Sequence, residues 1–258
     1  MNRDHIYLKG YLFSVFILLV LCSVSAFGAT IRVPGDQATI QAGIDAASEG
    51  DTVLVADGTY VGPGNKDLDF KGKAITVKSE NGPDNSIIDC EGIGRGVIFQ
   101  NGEKEDSIVS GFTIKNGHAE YGGAIICSIA SPTITNCIIS NNTADIQGGG
   151  IRASSSSHTI NINNCTIIGN RALAGSGGGL SFDTCSVTVT KSIISNNKAK
   201  GGGGIDTEAT SLTITNCIIS DNEAGNSGGM FCWGSSPIMI TNCTFSGNTG
   251  GILSLIHI

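Results

Sequence analysis

Thr133-Ile134-Thr135-Asn136-Cys137-Ile138-Ile139-Ser140-Asn141-Asn142 returns almost unchanged as Thr213-Ile214-Thr215-Asn216-Cys217-Ile218-Ile219-Ser220-Asp221-Asn222. Anchoring on Gly111, Cys137, Cys165, Ser192, Cys217 and Cys243 extends this pair to six copies, at intervals of 25 to 28 residues. Three positions before each anchor stands Ile108, Ile134, Ile162, Val189, Ile214 or Ile240. Two positions after it stands Thr113, Ile139, Ile167, Ile194, Ile219 or Phe245, and five after it Asn116, Asn142, Asn170, Asn197, Asn222 or Asn248. A glycine pair or longer run follows each asparagine: Gly122-Gly123, Gly148–Gly150, Gly177–Gly179, Gly201–Gly204, Gly228-Gly229 and Gly250-Gly251.

A period of this length marks a repeat architecture. Ile, Val and Thr dominate short apolar runs that end in Asn or Gly, and no window sustains a 3.6-residue rhythm, so the units are strands and tight turns. Each copy reads as one rung of an all-β, right-handed parallel β-helix, a solenoid in which like residues stack about 4.8 Å apart. Inward aliphatic columns fill the core. Three such side chains per rung contribute roughly 5–9 kcal/mol before chain entropy is subtracted, so a rung needs its neighbours. The asparagines read as a ladder, Asn116 to Asn248, set at a corner where Asn tolerates left-handed backbone and its amide bonds the next rung. The glycine runs read as a second corner, needing positive φ or close backbone approach.

Working outward, residues 106–252 hold the regular repeats and 29–105 the cap and first irregular rungs. Asp36 is expected to N-cap a short helix with Ile40, Ile44 and Ala47 on one face, covering the open strand edge. Strands are expected at Thr52–Val55, Ala74–Lys78, Ser86–Asp89 and Gly96–Phe99. Residues 1–28 read as an export signal: Arg3 and Lys9 precede the apolar run Tyr11 to Cys22, and Ala26-Phe27-Gly28 offers a cleavage site. Residues 253–258 read as a translated sequencing adapter, with the natural chain continuing beyond Ile252.

The repeats resemble the right-handed parallel β-helix (pectin-lyase-like) superfamily, and more narrowly the repeats of chlamydial polymorphic outer-membrane proteins. Gly122-Gly123-Ala124-Ile125 and Phe245-Ser246-Gly247-Asn248 match the two elements of those repeats literally. The segment from Asp36 resembles the N-terminal cap of pectin-lyase-like proteins. The resemblance implies fold; its motif residues are structural.

The 258 residues carry 15 Lys+Arg against 22 Asp+Glu, a net charge of −7 that argues against a nucleic-acid partner. The cysteine column contains no CxxC pair, and parallel stacking points its side chains the same way, so buried free thiols are expected rather than zinc or disulfides. Gly225-Asn226-Ser227-Gly228-Gly229 has the spacing of a hydrolase nucleophile motif but falls in a glycine turn, not between strand and helix. One polar set stands out. If Ile151, Leu180 and Ile205 face inward, strand alternation sends Arg152, Asp183, Asp206 and Glu208 outward, with Asp183 and Glu208 in register. These are the candidate catalytic residues. Asp183, Asp206 and Glu208 are also the candidate ligands for calcium, the one cofactor considered; otherwise no metal or cofactor is expected. The sequence favours an exported, non-catalytic, adhesin- or passenger-like module at the cell surface, outer membrane included. It would bind a polysaccharide or surface partner, with no transmembrane span in the mature chain. The alternative is a carbohydrate-active enzyme working in the outer groove.

Overall fold

The computed structural model describes residues 28–154, 158–208, 211–233, 237–250 and 253–256, the last of these as backbone. Residues 1–27 of the expected export signal 1–28, and residues 251–252 and 257–258, lie outside the described residues.

Four parallel sheets wrap one core. Sheet 1 has nine strands, from Thr30–Val33 to Ile238–Thr241; sheet 2 has eight, from Gly58–Tyr60 to Thr244–Ser246. Sheet 3 has five, from His118–Tyr121 to Glu223–Ala224, and sheet 4 eight, from Leu68–Asp69 to Leu253–Ile256. One rung visits the sheets in order: Thr159–Asn163, Thr166–Ile168, Arg171–Ala172, Leu180–Asp183. Every strand pair is parallel, and a parallel crossover closes right-handed, which gives a right-handed parallel β-helix. Among the described residues no helix is long and apolar enough to cross a membrane.

The inward columns are buried aliphatics. Val109, Ile134, Ile162, Val189 and Ile214 line sheet 1, and Ile114, Ile139, Ile167, Ile194 and Ile219 line sheet 2. The described cysteines are all free; Cys137, Cys165 and Cys217 are buried in one file with Ser192. Their thiols donate to backbone carbonyls, as Cys137 Sγ does to Thr135 O at 3.2 Å.

The first rung is registered one residue later than the sequence spacing suggests. Ile134 pairs with Val109, not Ile108, and Ile139 with Ile114, not Thr113. Phe112, not Gly111, therefore fills the anchor position, and its ring is fully buried.

The ladder changes accordingly. Asn142 Nδ2 donates to Asn170 Oδ1 at 2.9 Å, Asn170 to Asn197 at 3.0 Å, Asn197 to Asn222 at 3.0 Å and Asn222 to Asn248 at 3.0 Å. Each carboxamide oxygen also accepts the backbone N–H of the rung before it, and each amide nitrogen donates to a carbonyl, as Asn170 Nδ2 does to Ile139 O at 2.9 Å. Asn116 is not part of this ladder. Gly117 holds that register, giving its N–H to Asn142 Oδ1 at 2.8 Å, while the Asn116 amide donates to Asp89 Oδ1 at 2.9 Å. A Cβ on Gly117 would strike the Gly123 carbonyl, so no ladder side chain fits there. Left-handed backbone also sits elsewhere: Asn116, Asn141, Gly169, Asn196, Asp221 and Gly247 adopt it, one residue before the ladder position. The ladder asparagines from Asn142 onward are there for their amides.

At the sheet 3 to sheet 4 corner, Gly148 takes positive φ, whereas Gly149 is needed for close approach: a Cβ there would meet the Gly178 carbonyl of the next rung.

The helix runs Ile40–Ala46 with Ile40 and Ile44 fully buried over the first rung. Its N-cap is Thr39, whose hydroxyl accepts from Ala42 N at 3.2 Å. Asp36, expected to cap, instead closes a turn by accepting Arg32 N at 2.8 Å. The far end is capped from another rung: Lys73 Nζ donates to the carbonyls of Ile44, Asp45 and Ala47 at 2.7, 2.9 and 2.7 Å, placing a cation at the helix C-terminus. Residues Leu253–Ile256, set aside in the sequence reading, pair in parallel with Met230–Trp233 as the last strand of sheet 4.

Candidate functional site

On sheet 4, Ile125, Ile151, Leu180, Ile205 and Met230 form the inward file and are all buried. Alternation then sends the next residue of each strand outward: Ile126, Arg152, Ser181, Asp206 and Phe231 share one register. Two positions further lie Ser128, Ser154, Asp183 and Glu208. The outward file is nonetheless covered. Arg152 is 8% exposed, Ser181 0%, Asp206 6% and Phe231 4%. Gln147, at the end of the sheet 3 strand Thr143–Gln147, and Ser176, from the segment joining sheet 3 to sheet 4, line a cleft with Arg152, Asp183, Asp206, Glu208 and Trp233.

The four residues singled out from the sequence thus meet in one cleft. Asp183 and Glu208 are direct cross-strand partners. Arg152 Nη2 bonds Asp183 Oδ2 at 3.1 Å, and its Nη1 donates to Ala153 O at 3.2 Å and Ser181 Oγ at 3.4 Å. The guanidinium is therefore held by groups of this chain. Asp206 differs from its neighbours. Burial pushes its pKa up from the ordinary 3.8 to about 7; Arg152 and a hydrogen bond from Ser176 oppose the rise, while Glu208 and Asp183 add to it. Its Oδ1 is sealed and has no hydrogen-bond partner, alone in this among the described side-chain atoms. A buried carboxyl oxygen left unpaired is costly, and taking up a proton lowers that cost.

The sequence pattern did not single out Trp233, Gln147 or Ser176. Trp233 is 43% exposed and stands edge-on to Phe231 with ring centroids 4.9 Å apart. Its signal was available: Trp233 falls three residues after Met230, where earlier rungs carry Ser128, Ser154, Asp183 and Glu208. Gln147 ends a sheet 3 strand just past a register shift against His118–Tyr121, and Ser176 sits in the segment joining sheet 3 to sheet 4; the repeat fixes neither position. No three Asp, Glu, His or Cys side chains among the described residues converge to hold a metal ion, so Asp183, Asp206 and Glu208 do not form a calcium cage here. The Ser227 hydroxyl donates inward to Met230 O at 2.7 Å.

Chemically, the cleft offers a carboxyl that exchanges its proton near neutrality, two further carboxylates on its rim, and an aromatic face one rung away.

The family models that match parts of the chain agree with the fold. A family model described as "Right handed beta helix region" matches residues 172–255, and one described as "Chlamydia polymorphic membrane protein (Chlamydia_PMP) repeat" matches residues 136–154. The crystal structure of pectate lyase Pel9A aligns with a TM-score of 0.47 at 15% identity, covering 86% of this chain and 80% of that one. No curated protein matches the chain. The chain is a right-handed parallel β-helix solenoid carrying a repeat of the chlamydial polymorphic membrane protein type.

Proposed function

We propose that this protein is carbohydrate-active, cleaving a glycan laid along the outer face of sheet 4. The observation that carries the reading is Asp206: a covered carboxyl with one unpaired oxygen, poised near neutral pH, facing a cleft shared with two more carboxylates. Glycosidic cleavage asks for two carboxyl groups, one delivering a proton to the leaving oxygen and the other acting as base or nucleophile. Asp206 suits the proton donor because burial keeps a protonated fraction at pH 7. Glu208, exposed at the rim, suits the second role. Arg152 positions Asp183 and limits how far Asp206 is raised. Trp233 supplies a stacking face for a sugar ring.

The second reading keeps the protein as a non-catalytic surface module of adhesin or passenger type, exported and displayed outside the cell. The repeat match at residues 136–154 favours it. Incubation of the purified protein with a polysaccharide panel separates the two. Release of new reducing ends, lost by 100-fold or more in Asp206→Asn and Glu208→Gln while the circular dichroism spectrum is unchanged, supports the enzyme (an effect of about 2.7 kcal/mol or more on the barrier). Binding without release of ends, unaffected by either substitution, supports the surface module.

A further inference from the structure

We infer that the cleft takes a glycan free of acidic groups, with amino-sugar polymers preferred, and turns polyuronates away. The inference rests on the glycan reading of this cleft.

The charge each group presents to a ligand decides the matter. Arg152 is the one cation among the side chains that line the cleft and its neighbouring groove. Its side chain is 10% exposed, and its described bonds run to Ala153 O, Ser181 Oγ and Asp183 Oδ2. An incoming carboxylate would have to displace Asp183 to reach it. The acids face the other way. The Asp183 side chain is 39% exposed even while paired, and Glu208 is exposed. A polyuronate carries a carboxylate on every sugar and meets a rim of its own sign.

Two uncharged features complete the fit. Asp206 lines the cleft and its Oδ1 is buried without a partner, so a donor that displaces the side chains covering it, such as a sugar hydroxyl or amine, meets an unfilled acceptor. Trp233, propped by Phe231, offers an indole face that packs against the C–H side of a pyranose whatever its charge. An ammonium-bearing sugar gains from the stack, the hydrogen bond and the rim carboxylates together. A neutral sugar gains from the first two.

The test is titration calorimetry of the intact protein just below neutral pH with three oligosaccharides of matched length: glucosamine, neutral hexose and galacturonate oligomers. The glucosamine oligomer should bind tightest, ahead of the neutral one by about threefold to fivefold per exposed carboxylate–ammonium contact, with the advantage fading as salt is added. Glu208→Gln should narrow that gap, and the galacturonate oligomer should give no heat above dilution. Galacturonate binding as tight as glucosamine overturns the inference while leaving the glycan reading intact, as does equal binding of the amino and neutral oligomers. Failure of all three to bind, with Trp233→Ala also silent, overturns the glycan reading itself.

Discussion

Two corners of the same solenoid obey opposite rules. Where sheet 2 turns into sheet 3, rung after rung uses the same residue: Asn142, Asn170, Asn197, Asn222 and Asn248 each bond the next. On the outer face of sheet 4, the file Ile126, Arg152, Ser181, Asp206, Phe231 does not repeat a single residue. Both are buried over most of their length and both contain polar groups. At the ladder each rung faces an identical geometric demand, and one side chain that donates and accepts meets it every time. The sheet 4 file has no shared demand, and it holds the one buried, unpaired carboxyl oxygen among the described residues. Local rules broken in a buried setting point to function more than to folding.

The largest expected effect breaks the repetitive side. Asn170→Ala removes an amide that donates to Ile139 O and Asn197 Oδ1 and an oxygen that takes two donors from Asn142, depriving Ile139 and Asn142 on the preceding rung of that partner and leaving Asn197 Oδ1 with the backbone N–H of residue 170 alone. Denaturant unfolding should show a loss of about 3 kcal/mol or more. A loss under ~1 kcal/mol would mean that the ladder is decoration rather than support.

Next comes the irregular side, where removing charge should strengthen the fold. Because the Asp206 pKa is higher in the folded chain than in the unfolded one, the native state holds the proton more tightly between pH 3.8 and about 7. Stability linked to this group is fully present below that window and lost as pH rises through it. Asp206→Asn should therefore melt close to wild type in acid and several degrees above it at pH 8. Equal melting temperatures at both ends would remove the basis for treating Asp206 differently from a surface acid.

The smallest effect sharpens the boundary of the ladder. Asn116 lies outside it in left-handed backbone, with its amide on Asp89. Asn116→Gly keeps that backbone comfortable and should change unfolding free energy by less than ~1 kcal/mol. A loss matching that of Asn170→Ala would put Asn116 back in the file.

The period, the strand type, the inward columns and the register of Asp183 with Glu208 were all legible, because stacking forces like residues to recur. The one-residue slip at Asn116 was not. Asn141 and Asn142 stand side by side, so spacing alone fits either to Asn116, and only Gly117's lack of room for a side chain decides between them. Thr39 as N-cap and Lys73 at the helix C-terminus also escaped, since Asp36 satisfied the same local rule and Lys73 acts from another rung. The covering of the sheet 4 face was hidden for a related reason. Alternation says which way Asp206 points, but not that Ser176, in the segment joining sheet 3 to sheet 4, and Gln147, at a strand end past a register shift, close in around it.

The most direct test of the contrast is a carbon-13 NMR titration of the Asp206 carboxyl, assigned by comparison with Asp206→Asn. A midpoint near 7 is predicted, some three pH units above a solvated aspartate, with a further shift when a glycan occupies the cleft. A midpoint near 4, insensitive to ligand, would place Asp206 with the ordinary surface acids and remove the site.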